Sequence, residues 1–201
     1  ISVDFTYNVW FLASTTIAAI LTIGVIPMVE KTLGIVTYFR LHEYNKHSHP
    51  LIKRLIMEAP GTYDHSIKVG NLAELAADAI GANGLLVRVG AYYHDIGKIV
   101  NPEYFIENVS PGTNLHDHLD PYESAKIITS HTLDGVKLCK DYKMPEPIVR
   151  MVLTHHSDSI LYHFYSKAKE TDDEADINLF KYNCPTPVTK EEGILMLADS
   201  T

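Results

Sequence analysis

Seven residues of metal-ligating type are strung along this 201-residue chain: His65 alone, the adjacent pair His94 and Asp95, His131, the adjacent pair His155 and His156, and Asp199. Imidazole and carboxylate suit iron, manganese, zinc and similar ions. Five of one with two of the other exceed what a single tetrahedral zinc can use, so two ions are the natural count. Neighbours on a helix point about 100° apart, so an adjacent pair can clasp one ion or reach two, and Asp95, with two oxygens, is the obvious bridge. Two ions about 3.5 to 4 Å apart lower the pKa of a shared water and orient attacking and leaving oxygens for in-line displacement at phosphorus. No serine or cysteine stands in a recognisable elbow or triad setting, so a covalent nucleophile is not expected. Taken singly, a histidine such as His65 is more often structural, and His155-His156 alone reads equally as a helix end facing water. The joint pattern carries the weight.

Other residues are secondary to these. Lys98, four positions after His94, falls near the end of the ligand helix or just past it, where an ammonium can meet a substrate phosphate and offset charge developing on it. His116, Asp117 and His118 lie in a long polar connection, read as a lid over the site. His42, His47, His49 and His163 show no ligand pattern.

The elements that must position the seven read as helices. Apolar positions recur at helical spacing from Asp64 to Ile80, closed by Gly81, and a mostly apolar buried helix runs from Leu85 to Ile96, closed by Gly97. After the connection over 100–119, Asp120-Pro121-Tyr122-Glu123 supplies an N-cap, a first-turn proline and a capping-box glutamate, opening a helix to about Tyr142. Pro145 opens the next, through His155 and His156. An acidic insert, ETDDEADIN, precedes a last start signal at Thr189 and Glu192 and a helix carrying Asp199. With no alternating strand and no internal repeat, the expected fold class is all-α.

Ahead of this lies Val9 to Val29, 21 residues without a charge, long enough to cross a hydrocarbon core of about 30 Å. Tyr7 and Trp10 sit where interfacial aromatics belong, and Lys31, Arg40, Lys46, Lys53 and Arg54 follow whereas only Asp4 precedes. The expectation is a membrane helix with the C-terminal bulk in the cytoplasm. The expected organisation is 1–30 the last part of a transmembrane region, 31–60 a linker with short amphipathic pieces, and 61–201 a helical domain cut short at its C-terminus. A formal charge of -8 argues against a grip on a long nucleic acid, while bound dications would still admit a small phosphorylated ligand. Two distant cysteines, Cys139 and Cys184, suggest neither a disulfide framework nor a zinc knuckle. A homodimer is left open.

The motif HDIGK at His94 to Lys98, with an isolated histidine before it and a later histidine and aspartate after it, resembles the HD-domain metal-dependent phosphohydrolases. EAPGTYDHS at 58–66, IGAN at 80–83, RVGAYYHDIGK at 88–98 and PEYFIEN at 102–108 are similar to the HD domain of the seven-transmembrane HD proteins, bacterial cyclic di-AMP phosphodiesterases. The apolar segment ending IGVIPMVE looks like that family's last membrane helix. The resemblance implies an HD-type helical bundle, one metal on His65, His94, Asp95 and Asp199, and another on Asp95, His131, His155 and His156. It also implies a cyclic dinucleotide substrate opened to linear pApA; the adenine comes from the resemblance alone. Histidine-rich, carboxylate-bridged ligation favours iron or manganese over zinc. One departure stands out: the family usually follows its histidine pair with Gly-Thr, where this chain has Ser157 and Asp158. A di-iron oxygenase and a non-catalytic nucleotide-sensing domain remain as alternatives.

Overall fold

The computed structural model describes residues 2–201, with the side chains of residues 2, 3 and 31 left aside; the Lys31 charge counted above lies outside the described residues. Nine α-helices occur among the described residues: α1 (Ser2–Leu33), α2 (Tyr38–Tyr44), α3 (Pro50–Glu58), α4 (Pro60–Ala79), α5 (Gly84–Tyr93), α6 (Pro121–Asp141), α7 (Glu146–Thr154), α8 (Tyr162–Lys169) and α9 (Lys190–Asp199). The only extended pairing among them is one antiparallel bridge, Ile160 to Lys181. The fold is all-α, as expected.

Local chemistry sets most boundaries. Gly81 takes φ +67 after α4, and the Ala82 N–H returns to the Ala77 carbonyl at 2.9 Å, a left-handed C-terminal cap. The Asn83, Asp120 and Thr189 side chains accept from Leu86, Tyr122 and Glu192 amides and open α5, α6 and α9. Two boundaries differ from the periodicity. α4 begins at Pro60, whose missing N–H costs nothing in a first turn. α5 stops at Tyr93, and Ile96–Val100 continues as a tighter 3-10 turn.

Residues 31–60, expected as a linker with short amphipathic pieces, hold α2 and α3, and these enter the core. Leu41, Leu51, Ile52 and Leu55 are fully buried against Tyr93, Ile96 and Ile148, each burial contributing about 1.5–3 kcal/mol. A second core of mostly small side chains, Val69, Ala73, Ala77, Val87, Ala91, Met151 and Leu195, lets α4, α5, α7 and α9 approach closely. A third, around Phe180 and Ala125, seats α8 on α6.

Helix α1 stands apart, with its apolar residues exposed. Within it, Asp4–Glu30 is long and apolar enough to cross a membrane, the one such helix among the described residues. Its hydroxyls satisfy themselves: Ser14, Thr16 and Thr22 donate to the carbonyls of Phe11, Leu12 and Ala18 at 2.8–2.9 Å.

Candidate metal centre

The ends of three helices meet at one point. His94 and His155 follow the last residues of α5 and α7, and Asp199 closes α9. α4 contributes His65 from its second turn and α6 contributes His131 from its middle. The seven residues gather as two groups sharing Asp95: His65, His94, Asp95 and Asp199, and Asp95, His131, His155 and His156. Within each group the ligand atoms lie within 4.8 Å of one another.

Asp95 divides its oxygens between the groups. Oδ2 lies 3.2 Å from His94 Nε2, while Oδ1 lies 3.3 Å from His131 Nε2 and 3.6 Å from His155 Nε2. Asp199 Oδ1 meets His65 Nε2 at 2.9 Å and His94 Nε2 at 3.2 Å; its Oδ2 lies 3.9 Å from His156 Nδ1. Asp95, His94, His131 and His155 are buried, whereas His65 and His156 keep partial access to solvent.

Three rings are locked by backbone. Nδ1 of His94, His131 and His155 lies 2.6, 2.6 and 2.8 Å from the carbonyls of Ala91, Ile128 and Val152, each three residues back. A carbonyl only accepts, so each Nδ1 carries its proton and each Nε2 is turned to the centre, the usual support of a histidine ligand. His131 and His155 thereby face each other Nε2 to Nε2 at 3.2 Å. Two lone pairs at that separation need a cation or a shared proton between them. Asp95 Oδ1, beside both, is buried without a hydrogen-bond donor. These groups fit divalent cations by type, number and orientation.

The protonation pattern is that of a centre missing positive charge. Burial raises Asp95 and Asp199, but the facing His94 outweighs it and both stay below the usual carboxylate range; Lys98 also acts on Asp95 and His65 on Asp199. Burial opposes charge on His94, yet the two aspartates push it up to about 10. Burial pushes His155 down, and burial with the neighbouring imidazoles takes His156 to about 2.

Lys98 lies in the 3-10 turn just past α5. Its ammonium is held at 2.8 Å by both Asp95 Oδ2 and Glu107 Oε1 and sits 5.0 Å from the centre of the Phe105 ring. Glu107 accepts from the Thr62 hydroxyl at 3.0 Å, and the Thr62 amide donates to the Asn108 side chain at 3.0 Å. Gly61 makes this contact feasible, since a Cβ there would lie 1.7 Å from the Glu107 carbonyl oxygen. The front of the 100–119 connection is therefore bolted to the start of α4. Of the three residues read as lid, His116 is buried and away from the seven ligand-type residues, while Asp117 and His118 are exposed. Spacing gave no sign of Tyr182, buried with its ring centre 4.4 Å from His156 and 5.9 Å from His131.

A helical bundle that brings a histidine, an HD pair, a histidine, a histidine pair and a final aspartate to one point is the architecture of the HD domain. The HD domain family model matches residues 62–201, and the chain belongs to that family. It is 50% identical over 183 residues to the cyclic-di-AMP phosphodiesterase PgpH of Listeria monocytogenes and 47% identical over 183 residues to that of Bacillus subtilis. Each alignment covers 91% of this chain and 26% of the relative, so the chain spans about a quarter of the length of these curated relatives. Among solved structures, it superposes on the L. monocytogenes PgpH HD domain in complex with cyclic-di-AMP with a TM-score of 0.75 and 51% identity. That match covers 77% of this chain and 72% of the other.

Proposed function

We propose that this chain is the catalytic part of a membrane-anchored phosphodiesterase that opens cyclic di-AMP to linear pApA, with its HD domain in the cytoplasm. The observation that carries the reading is the pair of four-residue sets joined at Asp95, its buried histidines turned inward by backbone carbonyls. The likeness to PgpH over nine-tenths of the chain supports the substrate.

In this reading His65, His94, Asp95 and Asp199 hold one divalent ion and Asp95, His131, His155 and His156 the other. Iron or manganese suits so histidine-rich a set. When bound, the ions activate a water and polarise the phosphoryl oxygens. The chain's own groups do the rest. Asp95 sets the spacing of the two sets because its oxygens face opposite ways. Lys98, anchored by Asp95 and Glu107, has three ammonium protons and commits two, leaving one for a phosphoryl oxygen. Tyr182 closes the side of the centre behind His156 and excludes water there. α1 and its downstream cations place the domain at the membrane face.

The test uses the whole chain in detergent micelles with manganese, cyclic di-AMP, and chromatography of the product. The wild-type chain is expected to release pApA and Asp95→Ala to lose at least a thousandfold in rate. Equal rates, or no linear product from either chain, overturn the reading.

A further inference from the structure

Between the 104–117 segment and α8 lies a cavity of about 370 Å³, a size typical of small-molecule sites. Tyr104, Phe105, Ile128 and Phe164 give it apolar walls, with His116 and Lys167 among its polar groups. None of the seven ligand-type residues lines it, yet it backs onto their centre. The Phe105 ring lies 5.7 Å from the His131 ring, and the Ile128 carbonyl is the one that orients His131.

His116 is the unusual member. It is only 8% exposed, with its ring 5.5 Å from Tyr104 and 5.2 Å from Phe164. Its Nε2 lies 2.9 Å from the Tyr104 carbonyl, so the ring proton is committed there. Nδ1 is left as a bare acceptor, buried and without a partner. Burying an acceptor unpaired is costly, so the cavity calls for a ligand that brings a donor between aromatic faces.

We infer that this cavity seats one purine of the dinucleotide and that His116 Nδ1 accepts from its 6-amino group, an assignment that rests on the phosphodiesterase reading above. Aromatic walls stack on any base. Selectivity comes from the acceptor: adenine presents an amine at position 6, whereas guanine presents a carbonyl oxygen that would face the lone pair of Nδ1. The ring cannot adapt by moving its proton, because Nε2 is tied to Tyr104. With a base here, the attached phosphate is directed past Phe105 toward Lys98 and the metal centre. His116 thus becomes a specificity-determining residue for the adenine dinucleotide.

The experiment measures adenosine and inosine binding by calorimetry to the whole chain in micelles, stripped of metal with a chelator. The two nucleosides differ only in amine against carbonyl at position 6. Adenosine is expected to bind about tenfold more tightly than inosine, a discrimination set by one buried hydrogen bond. Equal affinities overturn the assignment without any variant. His116→Phe, which keeps the ring and removes the acceptor, is expected to bring the two within twofold, with melting temperature as the check on folding; a preference that survives in the folded variant also overturns it. Asp95→Ala is expected to retain the adenosine preference. If the wild-type chain shows that preference but yields no pApA, the phosphodiesterase reading falls and the purine pocket stands.

Discussion

Gly97 holds the turn carrying Asp95 against the helix carrying His131, and an alanine there gives the sharpest test of how the centre is built. The added Cβ would lie 1.8 Å from the His131 carbonyl oxygen and 2.5 Å from the Gly135 amide nitrogen. Ordinary contact begins near about 3.5 Å, so α6 and the turn must part by roughly 1.5 Å. Both obstacles are backbone, so no side-chain rotation relieves them. The parting moves His131 Nε2 away from Asp95 Oδ1, now 3.3 Å apart, whereas metal sites tolerate displacements of about 0.2 Å. Gly97→Ala is expected to destabilise the chain by about 3 kcal/mol, lowering its melting temperature by roughly 10 °C, and to weaken metal retention about 10- to 100-fold. Gly193→Ala is the control: nothing lies within 4 Å of its added Cβ, and within α9 it should stabilise by about 0.5–1 kcal/mol. Thermal melts in micelles and elemental analysis after dialysis against a weak chelator read both. Wild-type metal content and melting temperature in Gly97→Ala would refute the argument.

Three further outcomes follow from the same geometry. Ser157 adopts φ +52, a left-handed conformation that costs a side-chain-bearing residue about 1–2 kcal/mol; after glycine's own entropic cost, Ser157→Gly should raise stability by roughly 0.5–1 kcal/mol in a denaturant melt, and a loss would refute it. Arg150 forms a two-point pair with Glu192, at 2.8 and 3.2 Å, that ties α7 to α9; Arg150→Met should cost about 2 kcal/mol at pH 7, below the cost for a fully buried pair because the arginine is 34% exposed. Burial raises Glu192, but Arg150 and the Val188 amide hold it below the usual glutamate value, so the pair's contribution is full above an unfolded pKa of about 4.3 and is lost as pH falls through the folded value. In Arg150→Met burial raises the carboxyl instead, so acid should narrow the gap between the two chains in melts at pH 7 and pH 4. Finally, because the metal-free centre holds a proton on His94 up to about 10, metal loading should release protons and metal affinity should fall with pH, both measurable by calorimetry in two buffers; uptake of protons would contradict the assignment.

The seven ligand-type residues were legible because helix-borne side chains at the ends of well-capped segments announce themselves: Asp120, Pro121, Thr189 and Gly81 fix where α6, α9 and α4 begin or end, and the histidines and aspartates ride on those frames. α2 and α3 escaped because seven- and nine-residue helices rich in Lys, Arg and His look like a polar connection, and only tertiary contact reveals that Leu41, Leu51 and Leu55 are core. The 3-10 turn at 96–100 escaped because apolar periodicity runs straight through Tyr93, His94 and Ile96. What locks the imidazoles is backbone, the carbonyls of Ala91, Ile128 and Val152, and backbone leaves no mark in side-chain spacing. Tyr182 and His116 gain their places from chain returns over fifty residues or across a cavity, which no local pattern encodes. The departure at Ser157 was legible as a difference, and its meaning lay in a dihedral angle.

The convergence of three helix ends has a consequence beyond placing ligands. The final carbonyls of α5, α7 and α9 lack intrahelical partners, and each helix carries a macrodipole equivalent to about half a negative charge at that end. Three such ends aimed at one small volume form a standing negative field that no side-chain substitution removes. Ala91 and Val152 spend two of those carbonyls on imidazole N–H groups, pushing electron density toward the Nε2 atoms that face the centre. The centre is thus an electrostatic well for cations in its backbone as well as its side chains. The same field repels a phosphodiester until cations fill the well, so metal loading acts as a gate on substrate binding as well as a source of chemistry.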